Sequence, residues 1–290
     1  MAKGYGRAVA YGAVTIVNAI ACGYGAALGV DLWTEATVEL TDNPNVVEGK
    51  IVNDPSESTR LIEKTVKRIL RYFRLEDKFG AYVETRSNIP IARGLKSSSV
   101  AANAISLATL SALDRTLDDL TVVKLGVEAS IDAGVTVTGA FDDASASYFG
   151  NITVTDNLKR RILKTFKPEI KNVLIYVPEE KYYTVESDVS KMRVFEKEVK
   201  AIHRLALEGD YWTAMTLNGI LYSSILGFSP EVAISAIENG AVAAGLSGKG
   251  PAVAAVVSDR DLARVERAWS ELEGRVIRAK INRRKAQILE

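Results

Sequence analysis

The stretch Ile89-Pro90-Ile91-Ala92-Arg93-Gly94-Leu95-Lys96-Ser97-Ser98-Ser99-Val100-Ala101 constrains this chain more than any other. Proline closes an extended run, since it fixes φ and donates no backbone hydrogen bond. Glycine opens a turn, and three serines lead into a long Ala-rich run with helical character. Strand, small-residue turn and helix start, in that order, make an anion site. The first N–H groups of a helix lack internal partners, and the macrodipole adds partial positive charge there. Serine hydroxyls suit phosphate or Mg²⁺, and Lys96 adds a full charge. The stretch points to phosphate handling.

Composition narrows the class. At 290 residues, 47% hydrophobic and 25% charged, the chain is globular and long enough for one large or two modest domains. Lys+Arg of 37 against Asp+Glu of 36 leaves +1, so no basic excess speaks for nucleic acid or an anionic membrane. The single Cys22 excludes an intrachain disulfide and suits a reducing cytoplasm. The single His203 argues against a histidine triad or a multi-histidine metal site, which leaves acid–base work to carboxylates and lysines. Ala8 to Val30 carries no Asp, Glu, Lys or Arg, the mark of a signal peptide or a membrane span, but Thr15, Asn18 and its glycines favour two buried strands around a turn.

Strands are expected at 7–18 and 31–41, the second alternating through Trp33, Ala36, Val38 and Leu40. A helix is expected from Asp54, with Asp54 as cap, Pro55 at the first position and Glu57 completing a capping box. Its apolar face is Leu61, Ile62, Val66, Ile69, Leu70 and Phe73. A strand at 80–88 feeds the serine-rich helix at 97–113, and a further helix follows at 119–133. Beyond Asn151 the reading is strands at 151–155, 159–166 and 171–177, helices at 190–207, 210–225 and 230–239, strands at 241–246 and 252–258, a helix from 259 to about 270 and a last strand at 274–281. Without regular β–α alternation this is α+β rather than a doubly wound sheet. Neither a Walker A loop nor a Rossmann fingerprint is present: Gly248-Lys249 lacks a following Ser/Thr, and Gly23-x-Gly25-x-x-x-Gly29 is one residue too long.

Two more segments join the phosphate loop, Thr138-Gly139-Ala140-Phe141-Asp142-Asp143-Ala144-Ser145 and Gly245-Leu246-Ser247-Gly248-Lys249-Gly250-Pro251-Ala252. With Pro-x-x-x-Gly-Leu-x-Ser-Ser, they resemble, in order, the nucleotide loop, acidic motif and C-terminal glycine-rich motif of the GHMP kinases. Lys96 stands where that family usually has glycine. The form Gly-Leu-Lys-Ser-Ser-Ser and the Asp142-Asp143 pair most resemble the archaeal-type shikimate kinases of the family. The resemblance implies an α+β, two-domain architecture with the active site in the cleft between the halves, here 1–155 (nucleotide-binding) and 156–290. It also implies ATP, Mg²⁺ and a small-molecule acceptor, shikimate, with no nucleic acid or membrane partner.

Residue by residue, the resemblance implies that Arg93, Gly94, Leu95, Lys96, Ser97, Ser98 and Ser99 surround the nucleotide phosphates, joined by backbone donors of Gly248, Lys249 and Gly250. Ser98 matches the serine near Mg²⁺. Asp142 falls beside the acceptor hydroxyl as the base, and a slip of one residue promotes Asp143. Lys96 neutralises phosphate charge or is solvated at the loop edge. Glu128 matches a metal-binding glutamate, with Asp132 competing. Ala13 stands where mevalonate kinase-like members carry a basic residue, which moves weight onto Asp142, Lys96 and Lys249. A carboxylate-bearing acceptor needs a cationic clamp, for which Lys191 and Arg193 are candidates. His203, among Val199, Ile202 and Leu205, reads as a core-edge histidine. Another kinase of the family, such as a homoserine kinase, and a non-catalytic metabolite sensor are the alternatives; intact Asp142, Ser98 and glycine loops speak against the sensor.

Overall fold

The computed structural model describes residues 4–90, 94–136, 138–179 and 189–289. Two strands organise its first half. β1 (Tyr5–Val17) and β2 (Tyr24–Thr41) pair antiparallel along almost their whole length. They are the charge-free segment read as two strands around a turn, with the second starting seven residues earlier than expected. β2, at 18 residues, is long enough to serve two neighbours. Its far half pairs with β4 (Gly80–Ser87), and its near half pairs with β5 (Ile152–Asp156). β3 (Val47–Ile51) runs parallel to β4 at one edge, and β6 (Arg161–Phe166) continues from β5.

Helices cover this sheet. α1 (Arg60–Tyr72) buries Leu61, Ile62, Val66, Ile69 and Leu70, the expected stripe. α2 (Ser97–Ala112) is buried on most of its surface, and its Ala, Ser and Thr side chains let it lie close to β1 and β2. α3 (Asp119–Asp132) and α4 (Phe141–Phe149) pack beside it.

The second half centres on a four-stranded antiparallel sheet, ordered β10 (Arg275–Lys280), β7 (Asn172–Val177), β9 (Val253–Val257), β8 (Ala243–Leu246). α5 (Val189–Arg193), α6 (Glu196–Glu208), α7 (Tyr211–Leu226), α8 (Glu231–Glu238) and α9 (Leu262–Ser270) accompany it. The buried Trp269 indole donates to the Val232 carbonyl at 2.9 Å and ties α9 to α8. β11 (Gln287–Leu289) returns to the first sheet, against β1. By sheet membership, therefore, the division expected at 155/156 falls inside β5, with β6 and β11 on the first side.

Three local expectations need correction. The helix expected from Asp54 starts at Arg60. The Asp54 carboxylate accepts from the Ser56 hydroxyl at 2.7 Å and its carbonyl from Glu57 N–H at 3.1 Å, a closed local turn that competes with helix nucleation. The helix expected at 190–207 is two, with Val194 and Phe195 between them. β3 and β11 are additional. Among the described residues no helix is long and apolar enough to cross a membrane.

Candidate active site

The three motifs, far apart in sequence, meet at the start of α2. Gly94 (φ 78°) turns the chain, and Lys96 (φ 65°) occupies the N-terminal cap of α2 in left-handed conformation. No side chain caps α2, so the leading N–H groups at Ser97, Ser98 and Ser99 keep the character of an anion site. Ser97 and Ser98 are half-buried and Ser99 is buried. Leu95 is buried in the core, which leaves only its backbone for a ligand. Arg93 lies outside the described residues.

Lys96 is not solvated at the loop edge. Its Nζ lies 2.9 Å from Oδ2 of Asp143, with side-chain exposures of only 10% and 7%. Asp142 and Asp143 occupy the first turn of α4, where the helix dipole favours carboxylates. Burial nevertheless pushes the Asp143 carboxyl up to about 7, aided by the charge of Asp142 and opposed by Lys96. Oδ1 of Asp143 is buried and finds no hydrogen-bond partner among the described residues. Such an oxygen calls for a cation or a donor that arrives with a ligand. Asp142 is held differently. Its Oδ1 accepts from the Asn157 amide at 2.8 Å. Its Oδ2 lies over Gly25, where a Cβ would come within 2.5 Å of it.

The C-terminal glycine-rich loop has another part than the one expected. Gly248 N–H donates to Thr15 Oγ1 at 2.8 Å and Gly250 N–H to the Ser247 carbonyl at 2.9 Å. These amides are committed within the protein, so Gly248 and Gly250 do not offer phosphate donors. They brace the phosphate loop instead. Ser247 Oγ donates to the Gly94 carbonyl at 2.9 Å, and a Cβ on Gly94 would meet the Ser247 carbonyl at 2.2 Å. Only glycine allows that approach with positive φ. Asn18 continues the brace: its amide donates to the Gly248 carbonyl at 2.8 Å, and its N–H to Oδ1 of Asn218 on α7 at 2.9 Å. A β-bulge in β1 between Thr15 and Val17 helps aim these residues. Lys249 is buried, and burial beside Lys96 lowers its ammonium to about 8. It still carries charge at neutral pH, and an incoming anion would favour that form.

Glu128 is placed otherwise than the sequence suggests. Arg160 holds one of its oxygens at 2.5 Å, and Arg68 lies 3.4 Å from the other. The same Arg68 also pairs with Asp132. Both candidate metal carboxylates are thus committed to guanidinium groups. Among the described residues no cluster of three acidic, histidine or cysteine ligands exists. Lys191 and Arg193 lie exposed on the single-turn α5, anchored by buried Met192, and among the described residues no hydrogen bond or salt bridge ties them to the groups gathered here. His203 is buried on α6 against the Tyr24 ring at 5.2 Å, and burial lowers its pKa. The residue that sequence reading missed is Asn157. Its signal was Thr153-x-Thr155-x-Asn157, a period-two polar stripe that runs along β5 and past its end.

The arrangement gathers two lysines and a helix start suited to a polyanion, and two buried carboxylates, one paired with Lys96 and the other held by Asn157. Comparison with known proteins identifies the family. The model of the GHMP kinases N terminal domain matches residues 60–151, and that of the GHMP kinases C terminal matches residues 213–273. The chain is 48% identical over 287 residues to a shikimate kinase of Methanothrix thermoacetophila, covering 98% of this chain and 96% of that one. It is 46% identical to a shikimate kinase of Methanosarcina mazei over 96% and 94% of the two chains. Among solved structures, a homoserine kinase from Cytophaga hutchinsonii superposes with TM-score 0.77 at 17% identity, over 99% of this chain and 98% of that one.

Proposed function

The chain belongs to the GHMP kinases, and from that premise we propose that it is an ATP-dependent shikimate kinase that phosphorylates the 3-hydroxyl of shikimate. The observation that carries the kinase chemistry is the meeting of Lys96 with the Asp142–Asp143 pair at the start of α2. The acceptor rests on near-full-length relatives that bear the name shikimate kinase.

Phosphoryl transfer draws most of its acceleration from positioning and charge neutralisation. The leading amides and serine hydroxyls of α2 receive the nucleotide phosphates. Lys96 and Lys249 offset their charge inside a buried, low-dielectric site. Asp142 accepts the proton of the acceptor hydroxyl through Oδ2 as that oxygen attacks phosphorus, and its base strength need only be modest. Mg²⁺ fits this donor set. The unpartnered Oδ1 of Asp143 and the Ser98 hydroxyl are hard oxygen donors, and Mg²⁺ prefers few protein ligands beside phosphate oxygens. When bound, the ion adds charge neutralisation at the transferred group. Glu128, held by its arginines, takes no part in this reading.

The test is ATP consumption with shikimate, homoserine, mevalonate and galactose, each over a range of concentrations. Shikimate is expected to give the highest kcat/KM, with phosphate on the 3-hydroxyl by ³¹P NMR. A higher kcat/KM for homoserine or mevalonate would reject the acceptor and leave the kinase. Turnover of none, with ATP still bound, would favour the metabolite sensor.

A further inference from the structure

Among the described residues no salt bridge is found to the proposed base. Ala13 brings no charge, Lys96 is paired with Asp143, and His203 is neutralised by burial. What holds Asp142 among the described residues is a set of hydrogen bonds from β5 and its exit. Thr153, Thr155 and Asn157 alternate along one side of that strand and its exit, and all three are buried. Thr153 Oγ1 donates to the Asp142 carbonyl at 3.4 Å. Asn157 Nδ2 donates to Asp142 Oδ1 at 2.8 Å. Thr155 Oγ1 lies 2.6 Å from Asn157 Oδ1 and 3.2 Å from the Gly25 carbonyl, so its single hydrogen goes to the shorter contact.

That last bond decides which way the amide faces. An asparagine amide has a donor end and an acceptor end of nearly the same shape. With its oxygen engaged by a hydroxyl donor, its nitrogen must face the carboxylate. Flipped, it would set oxygen against oxygen. The backbone is fixed too: Asn157 N–H donates to the Gly23 carbonyl at 2.9 Å, and the register pairs Gly25 with Thr155. We infer that Asn157, oriented by Thr155, is a positioning residue that holds Oδ1 of Asp142 and leaves Oδ2, above Gly25, as the oxygen that takes the acceptor proton. This rests on the reading of Asp142 as the base.

The experiment is a double-mutant cycle on the full chain with saturating ATP and shikimate, or whichever alcohol the acceptor screen identifies. Asn157→Ala should lower kcat by about 10- to 100-fold while both KM values stay within about threefold, since positioning acts on the chemical step. In an Asp142→Asn background it should cost nothing further, because it acts through Asp142. Thr155→Val should lower kcat by about three- to tenfold, and Thr155→Ser, which keeps the hydroxyl, should restore it to within about twofold of the parent. The inference is overturned if Asn157→Ala keeps kcat within about twofold, if its effect persists undiminished beside Asp142→Asn, or if it raises the acceptor KM instead. Should Asn157→Ala not fold, the Thr155 pair decides, and equal kcat for Val and Ser rejects the role. If Asp142→Asn alone keeps its turnover, the base reading fails first; if it loses turnover and Asn157→Ala does not, only the positioning role fails.

Discussion

Asp143 is where burial and charge disagree most. Its carboxyl sits at about 7 in the folded chain against an ordinary 3.8. Between those values the folded chain holds a proton that the unfolded chain has released. Stability therefore falls as pH rises through that window. Asp143→Asn keeps the shape and removes the ionisation. Like protonated Asp143, it leaves Lys96 without an anion. In nucleotide-free protein, the variant-minus-parent difference in Tm should be smallest near about pH 4, grow in the variant's favour up to about pH 7 and level off above. Calorimetry at constant ionic strength reads it, and a gap that stays flat would contradict the assignment. Lys249 works in the opposite sense above about 8, where its contribution rises with pH toward 10.5, so the series should stop there. At this scale Asp142, Asp143 and Lys96 were legible because each sits in a motif. Asn157 was not, because a polar residue leaving a strand resembles a turn residue until the partner it faces is known. Glu128 misled for the converse reason: a carboxylate on a helix says nothing of the arginines that reach it from α1 and the β5–β6 turn.

Among the elements, the start of α2 carries the sharpest conflict between backbone and function. Lys96 stands in a left-handed conformation that suits glycine, at a cost of about 1–2 kcal/mol. What offsets the strain is the buried ammonium beside Asp143. Lys96→Gly and Lys96→Ala both remove the charge, but only glycine relieves the backbone. The glycine variant should be the more stable of the two by about 1 kcal/mol in urea unfolding. Both should lose turnover. Equal stability would mean that the left-handed cap carries no strain, and retained turnover would remove Lys96 from the site. Elements with long apolar periodicity, such as α1, were readable in extent and face. Its start was not, because Asp54, Ser56 and Glu57 satisfy one another locally. The break between α5 and α6 has no glycine or proline to announce it. β3 and β11 are short edge strands whose pairing depends on partners distant in sequence.

Taken whole, the molecule is two sheets, joined where the end of β10 meets β2 and again at a knot of hydrogen bonds around the phosphate loop. Thr15 from β1, Asn18 just beyond its end, Gly94 from the phosphate loop, Ser247 and Gly248 from the second sheet's loop, and Asn218 from α7 all meet there. The order of the three motifs announced that they would converge. It did not announce that the glycine loop would spend its amides on the brace, because that depends on how closely the halves approach. The account stands on Asp142 taking the acceptor's proton. Its most direct test is kcat of Asp142→Asn at saturating ATP and shikimate, with nucleotide affinity measured on the same sample by calorimetry. The account predicts a fall of roughly two to four orders of magnitude with ATP still bound. Turnover within about threefold of the parent would contradict it.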